Sequence, residues 1–198
     1  DSGHIEVNGA PVSIRSPKDA FQLGIGMIHQ HFKLIPVFTA AENIILGEQG
    51  GKYDLRAAEQ KLSELADCYG FRLNPKQKVY ELSVSEKQTV EIMKVLYRGA
   101  DILILDEPTA VLTPQETERL FAILRKMRED GKSILIITHK LNEVLAISDR
   151  VAVLRKGRYI GEVETAKADA SLLTEMMVGE KVKLGIDRAE PGNGPRRL

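Results

Sequence analysis

The sequence has few of the features that mark secreted or membrane-spanning proteins. Its one cysteine, Cys68, excludes an internal disulfide and is typical of a reducing compartment. No apolar run approaches the roughly 18 to 20 residues that a helix needs to cross a bilayer. The first residues, DSGHIEVNGAP, lack the basic and then apolar pattern of a signal peptide. These absences predict a soluble, cytosolic protein in which any membrane role is exercised through a partner.

Neither sign of charge is in excess, because 28 Lys and Arg side chains balance 28 Asp and Glu side chains. Such a balance disfavours a nucleic-acid binder that relies on phosphate contacts. The 198 residues are 43% hydrophobic and 28% charged, which is enough apolar mass for a packed core. The chain therefore has the size of one domain, or of one domain with a small insert.

Strand and helix patterns alternate on either side of a helical middle section. A β-hairpin is predicted around Asn8-Gly9, and a buried strand over residues 25–29. Capping boxes at Thr39–Glu42 and at Ser83–Glu86 predict two helix starts, and the apolar spacing after Asp54 predicts a helix to residue 69. Strands and helices then alternate in this order: strand 102–105, helix 113–127, strand 134–138, helix 141–147, strands 150–154 and 159–163, and helix 172–177. This alternation predicts an α/β layered domain with active groups at the carboxyl ends of its strands.

The stretch ILILDEPTA, residues 102 to 110, places two carboxylates at the end of an apolar strand. A strand that is apolar at every position is expected to be parallel and buried on both faces. An isolated Asp-Glu pair is most simply a solvated loop start, but a second strand, ILIITH, ends on His139. Together these residues favour nucleotide hydrolysis: Asp106 holds Mg²⁺, Glu107 takes a proton from water, and His139 bonds the γ-phosphate.

The stretch ELSVSEKQ has two interpretations. Ser83 and Glu86 cap a helix reciprocally, which is a complete structural explanation of the pattern. A helix N-terminus also presents free N–H groups and a positive dipole end, which favour an anion.

Three segments taken together carry a resemblance to a known family. LSVSEKQTVEIMKVLYRGADILILDEPTAVLTPQE, followed by IITHKLNEV and SDRVAVLRKGR, resembles the nucleotide-binding subunits of ABC transporters. The similarity extends from residue 1 to about residue 179. It implies a RecA-like P-loop NTPase core of ABC type, an α/β fold that carries an antiparallel β-hairpin and a helical subdomain insert. It also implies ATP hydrolysis coupled to transport, with ATP and Mg²⁺ as cofactors.

The resemblance implies a role for each residue that matches a family motif. It makes Asp106 the Walker B metal ligand, Glu107 the catalytic glutamate and His139 the switch histidine. Gln30 resembles the Q-loop glutamine, which reaches Mg²⁺ and the attacking water and faces the membrane subunits. The family's signature motif, which binds the γ-phosphate held by the opposite subunit, is matched by Ser83, Val84, Ser85 and Glu86.

The resemblance also divides the chain. Residues 1–39 correspond to the N-terminal part of the ATPase core, with the hairpin and Q-loop, and residues 40–98 to the helical subdomain with the signature. Residues 99–179 correspond to the C-terminal part of the core, with Walker B, D-loop and switch histidine. Residues 180–198 are predicted to be a linker by composition as well.

HQHF together with LSVSEKQ is similar to the branch that energises uptake of nucleosides and simple sugars. This similarity implies partners: transmembrane permease subunits, an extracytoplasmic solute-binding protein that acts indirectly, and a second ABC half, as a homodimer or fused in tandem. It implies no nucleic-acid partner, and it places the protein peripherally at the cytoplasmic face of the membrane.

The sequence departs from the family pattern in three places. The usual Gly-Gly-Gln of the signature is Val84-Ser85-Glu86, and the D-loop has Thr113 where an aspartate is usual. No G-x-x-x-x-G-K-[ST] phosphate loop is present, because Lys126 stands five residues before the Gly of Gly131-Lys132-Ser133, with a helix before it and a strand after it. We therefore expect an N-terminally truncated fragment that is inactive by itself.

Two other functions remain open at this stage. One is a non-catalytic or degenerate ABC-type domain, which the altered signature favours. The other is a non-transport ABC ATPase that acts on nucleic acid or ribosomes, although the sequence has neither the long coiled coil nor the basic patches expected of it. His29 and His31 flank Gln30 at strand spacing, but no third metal ligand accompanies them.

Overall fold

The computed structural model of the protein describes residues 3–47 and 54–179. The chain divides into two compact units, Asp1–His139 and Lys140–Leu198. The predicted linker, residues 180–198, lies outside the described residues. The finer division of the chain at residues 39, 98 and 179 stays a prediction.

The first unit alternates strands with helices, as the sequence predicts. Its strands are β1 (Ile5–Val7), β2 (Ala10–Val12), β3 (Ile25–Ile28), β4 (Ile102–Asp106) and β5 (Ser133–Ile137). Its helices are α1 (Pro17–Gln22), α2 (Ala40–Ile45), α3 (Leu55–Tyr69), α4 (Val84–Tyr97) and α5 (Pro114–Glu129). The second unit contains α6 (Leu141–Ile147), β6 (Arg150–Arg155), β7 (Arg158–Glu164) and α7 (Ala170–Val178). Within the described ranges, no helix combines the length and apolar character needed to cross a bilayer.

Two antiparallel hairpins follow from residues that accept positive φ. Asn8 and Gly9 have φ of 53° and 76° and join β1 to β2, which confirms the predicted hairpin. In the second unit, Lys156 and Gly157 have φ of 49° and 73° and turn β6 back into β7. Both turns use the backbone region in which glycine and asparagine are least strained.

The centre of the first unit is a three-stranded parallel sheet in the order β3-β4-β5. Ile28 pairs with Leu105, and Asp106 pairs with Ile137, so the carboxyl ends of all three strands lie at one edge. The long segment between β3 and β4 contains α2, α3 and α4, so the predicted helical middle section is confirmed.

The two faces of this sheet differ in burial. On one face Leu103 and Leu105 are fully buried and Ile28 is 2% exposed. On the other face Met27 is 40% and Leu135 is 55% exposed. The expectation that β4 is buried on both faces is therefore wrong for one of them, because Ile102 and Ile104 of β4 are only half-buried on that face.

The predicted capping boxes form, and each fixes where its helix begins. The Thr39 backbone N–H donates to Glu42 Oε2 at 2.6 Å, and the Glu42 N–H donates back to Thr39 Oγ1 at 3.1 Å. The bond from the Thr39 N–H is the main cause that lowers the pKa of the Glu42 carboxyl. The same reciprocal pair joins Thr113 and Glu116 at the start of α5. Local sequence alone therefore sets these starts.

Close packing of α4 on the sheet depends on the absence of a side chain at Gly26. A Cβ there would lie 2.8 Å from the Val95 Cβ and 3.2 Å from the Ala100 Cβ. Both neighbours are themselves buried, so neither has room to retreat.

We expect Gly26→Ala to destabilise the protein by about 1–3 kcal/mol, the usual cost of overpacking a filled core. Urea unfolding followed by circular dichroism would measure the change. Gly3→Ala is the matched control, because nothing lies within 4 Å of its Cβ position, and we expect its effect to stay within about 0.5 kcal/mol. Equal effects of the two substitutions would contradict the packing at Gly26.

Candidate active site

The parallel sheet brings the predicted acid, base and histidine to one edge. β4 ends on Asp106 and is followed by Glu107, while β5 ends on Ile137 two residues before His139. The Glu107 N–H donates to the Ile137 carbonyl at 2.9 Å, which extends the strand pairing into the turn. The expectation that neighbouring strands deliver these side chains to one rim is confirmed.

Glu107 and His139 form a direct side-chain contact on this rim. His139 Nδ1 and Glu107 Oε1 are 2.7 Å apart, a distance that makes a hydrogen bond and, with a protonated ring, an ion pair. The His139 side chain is 73% exposed and that of Glu107 only 19%. With Nδ1 engaged, Nε2 is the ring nitrogen left to meet a ligand.

The second carboxylate oxygen of Glu107 is buried and has no hydrogen-bond partner among the described residues. An unsatisfied buried acceptor costs about 1–3 kcal/mol, so native structures retain such groups where a ligand or water completes them. A carboxylate in this state suits a general base that receives its bond from an attacking water. This buried oxygen is the structural observation that fits a hydrolytic site.

The backbone of Glu107 is strained. Its φ is +47°, in the left-handed region that costs an ordinary residue about 1–2 kcal/mol. The other described non-glycine residues with positive φ, Asn8 and Lys156, lie in hairpin turns. Sequence reasoning missed this strain, because glutamate has no preference for the left-handed region that could have signalled it.

Asp106 and Gln30 stand where the sequence predicts metal ligands. Asp106 is the half-buried last residue of β4, and exposed Gln30 follows the adjacent strand β3 by two positions. No group of three His, Cys, Asp or Glu side chains in the described ranges could enclose an ion. Mg²⁺ accepts such a partial set, because it keeps several waters and takes further oxygens from phosphates. The oxygen donors at this edge therefore fit Mg²⁺ bound together with a nucleotide.

The loop that carries Gln30 is held by two side chains that sequence reasoning missed. The Lys33 N–H donates to Glu91 Oε1 at 2.9 Å, which fastens the loop to α4. Buried Asn43 accepts from the Ile35 N–H at 2.7 Å and donates to the Ile35 carbonyl at 3.0 Å. Glu91 lies 58 residues from Lys33, and Asn43 lies 8 residues from Ile35. Neither spacing is a recognised sequence pattern, so only the fold reveals these bonds.

The segment Ser83–Glu86 forms the predicted cap of α4. Glu86 Oε2 accepts from the Ser83 N–H and from the Ser83 hydroxyl, both at 2.8 Å. The Glu86 N–H donates to Ser83 Oγ at 3.3 Å. A hydroxyl from Ser85 reaches Glu116 and, after the Thr113 N–H, is the second cause that lowers the pKa of that carboxyl. The Ser83 donors that would serve an anion are therefore engaged by Glu86 within the chain itself.

Comparison with known proteins gives one family match. The family model described as "ABC transporter" matches residues 1–110, which is more than half of the chain.

Several curated proteins are similar to this chain in sequence. The nucleoside import ATP-binding protein NupA of Lactococcus lactis is 47% identical over 190 residues, or 94% of this chain and 38% of that protein. The guanosine import ATP-binding protein NupO of Bacillus subtilis is 46% identical over 197 residues, or 97% and 39%. A ribose import ATP-binding protein, RbsA 1, of Streptomyces avermitilis is 42% identical, over 100% of this chain and 38% of that protein. The chain thus spans about two-fifths of the length of these relatives.

Solved structures of ATP-binding cassettes share the fold. The dimeric structure of MJ0796, a bacterial ABC transporter cassette, is similar with a TM-score of 0.68 at 24% identity, over 83% of this chain and 74% of that one. A nucleotide-free ATP-binding cassette from an ABC transporter gives a TM-score of 0.73 at 22% identity, over 89% and 77%. The fold is the RecA-like P-loop NTPase core of ABC type, with its antiparallel hairpin, as the sequence predicts.

The strain at Glu107 predicts an unusual order of stabilities. Glu107→Gly and Glu107→Ala both remove the carboxylate, but only alanine keeps the Cβ that the left-handed backbone disfavours. We expect E107G to be about 1 kcal/mol more stable than E107A in urea unfolding. At Glu118, an exposed position inside α5, the same pair should show the opposite order by about 1 kcal/mol. An E107A variant more stable than E107G would show that the turn is not strained in solution.

Proposed function

The chain belongs to the ABC transporter family, and on that premise we propose that it is an ATP-binding and ATP-hydrolysing part of an importer for nucleosides or simple sugars. The observation that carries the proposal is the 2.7 Å contact of Glu107 Oε1 with His139 Nδ1, next to Asp106. Glu107 Oε2 is buried and has no partner in the part of the chain that the structure describes. The printed functions of the similar proteins, import of nucleosides, guanosine and ribose, support the substrate class.

In this proposal each residue of the rim has a separate role in phosphoryl transfer. Glu107 accepts a proton from the attacking water, and its burial keeps the carboxylate in place for that contact. His139 is oriented by Glu107 through Nδ1 and offers Nε2 to the γ-phosphate. Asp106 and Gln30 would hold Mg²⁺, which when bound neutralises charge that develops on the phosphate oxygens.

The signature segment contributes to a nucleotide held by a second ABC half. Ser83, Val84, Ser85 and Glu86 would present the N-terminus of α4 to the γ-phosphate. The bonds from Glu86 to Ser83 compete with that use, because one carboxylate takes both the hydroxyl and the N–H. Phosphate binding would therefore require Glu86 to release Ser83.

Gly131-Lys132-Ser133 does not supply a phosphate loop, because it joins the end of a helix to the start of a strand. Gly131 has a φ of +83° and follows the end of α5, while Ser133 begins β5. Lys132 Nζ donates to Asp101 Oδ1 at 2.6 Å, so its ammonium pairs with a carboxylate on the sheet's amino-terminal side. This arrangement agrees with the sequence-based interpretation of a capping glycine followed by a turn.

Permease subunits are the membrane partners in this proposal, and they would hold the protein at the cytoplasmic face of the membrane. An exposed apolar pair beside the Gln30 loop supports such a contact: Val37 is 65% and Tyr80 is 61% exposed. The Tyr80 N–H donates to the Pro36 carbonyl at 3.1 Å, so the two side chains stand on adjoining segments. A solute-binding protein would act indirectly through the permease, and a second ABC half would complete each site.

A non-catalytic ABC-type domain is the second candidate, and the engagement of Ser83 by Glu86 favours it. In that case the rim would keep its geometry but would not turn over ATP when a phosphate loop is supplied. A non-transport role on nucleic acid or ribosomes has no specific observation in its favour.

The chain alone should bind Mg·ATP weakly, with a Kd on the order of 1 mM. The physical reason is that the β- and γ-phosphates would lack their cradle of N–H groups and lysine. Isothermal titration calorimetry would measure the affinity, and low-micromolar binding would contradict the expectation. Lys132→Ala is the matched control. It should leave the affinity unchanged because the Lys132 ammonium is paired with the Asp101 carboxylate.

Joining this chain behind a segment that carries a G-x-x-x-x-G-K-[ST] phosphate loop should give an ATPase whose turnover depends on Glu107. Glu107→Gln should lower kcat by about 10²–10⁴, the scale of a lost general base, while nucleotide binding is retained. Phosphate release under saturating ATP would measure kcat, with Glu118→Gln as the surface control. Full turnover of E107Q would remove Glu107 from the role, and no turnover of the parent chimera would favour the non-catalytic candidate.

A further inference from the structure

Gln88 is a buried polar residue to which neither the family motifs nor the roles above give a task. It lies in the second turn of α4 and is 5% exposed. Its Nε2 donates to the Pro108 carbonyl at 2.6 Å, across a sequence separation of 20 residues. A short bond from a buried amide to a loop carbonyl is costly to lose, because both groups would then be left unsatisfied.

The carbonyl that Gln88 holds belongs to the residue directly after strained Glu107. The same turn is fixed at two more points: the Glu107 N–H donates to Ile137 at 2.9 Å, and the Ala110 N–H donates to the Glu107 carbonyl at 3.1 Å. A left-handed glutamate persists only where its surroundings over-determine the backbone. Of these three bonds, the one from Gln88 comes from outside the turn and the sheet.

We propose that Gln88 is a positioning residue that holds the Glu107 turn in its strained conformation, so that Glu107 Oε1 meets His139. The inference rests on the proposed function, since it gives the general base of that site its geometry. The peptide plane between Pro108 and Thr109 is fixed by the Gln88 bond at 2.6 Å, and this anchor limits rotation about the backbone of Glu107. Without the anchor, the turn relaxes towards ordinary φ and the carboxylate leaves the ring.

The position of Gln88 on α4 gives this anchor a second consequence. Ser83, the cap of the same helix, precedes Gln88 by five residues, a distance of roughly 7.5 Å along the helix axis. In this proposal the Gln88 bond joins the helix that Ser83 caps to the carbonyl that follows Glu107.

The simpler alternative is that Gln88 merely satisfies a buried carbonyl and stabilises the core. The two readings differ at His139, which Gln88 does not contact in any described bond. If Gln88 only stabilises the fold, its loss lowers the melting temperature and leaves the Glu107–His139 pair intact. If Gln88 positions the turn, its loss separates the pair in a protein that is still folded.

The test is nuclear magnetic resonance of the ¹⁵N-labelled histidine rings, which needs no enzymatic activity. The chain has four histidines, and His139→Asn assigns the resonances of His139. Glu107→Gln then marks where those resonances lie when the carboxylate partner is lost. We expect Gln88→Met, which keeps the side-chain size but removes the donor, to shift them most of the way towards the E107Q position.

Asn43→Leu is the matched control, because Asn43 is another buried amide that holds a loop, through the carbonyls of Ile35 and Thr39. It should lower the melting temperature while leaving the His139 resonances at their wild-type position. Gln88→Leu is the second variant, in case Q88M does not fold. It also removes the donor and suits a buried position in a helix, so the Pro108 carbonyl loses its bond.

A folded Q88M or Q88L variant with wild-type His139 resonances overturns the proposal. A shift of the same size in N43L also overturns it, because general loosening would then explain the effect. If E107Q itself leaves the His139 resonances unmoved, the contact between the two side chains does not exist in solution. That last result contradicts the proposed active site and is thus distinct from a failure of Gln88.

Discussion

The parallel pairing of β4 between β3 and β5 is the constraint on which the candidate site depends. Parallel strands end at one edge, so residues that are far apart in sequence meet there once the register is set. Asp106 against Ile137 is the last pair of that register, and the next N–H, from Glu107, extends it by one bond. A shift of one residue would send Asp106 to the opposite face and separate Glu107 from His139.

The strand pairing and the packed core stabilise a fold in which the conformation of Glu107 is itself unfavourable. Its backbone is left-handed, and one carboxylate oxygen is buried without a partner among the described residues. Each feature costs on the order of 1–3 kcal/mol and is tolerated where a ligand or reaction later uses it. The bond that the Glu107 N–H donates to the Ile137 carbonyl and the bond that Gln88 donates to the Pro108 carbonyl fix the turn on both sides of Glu107.

Ser83, in contrast to Glu107, has its polar groups satisfied. Its N–H and its hydroxyl both donate to Glu86 Oε2. A glutamate at position 86 completes the capping box and stabilises the start of α4. If this segment binds phosphate as proposed, the cap and the phosphate would compete for the same Ser83 donors.

The sequence by itself determined the features that depend on neighbours along the chain. Asn8-Gly9 specified a hairpin, and Thr39 with Glu42 and Ser83 with Glu86 specified helix starts. Apolar runs ending at Asp106 and near His139 specified the sheet edge that carries the candidate site. The tertiary structure alone decided the positive φ of Glu107, the hold of Gln88 on Pro108, and the exposure of one sheet face. The first two features involve contacts between segments 20 or more residues apart, whose partners leave no periodic or local signature in the sequence.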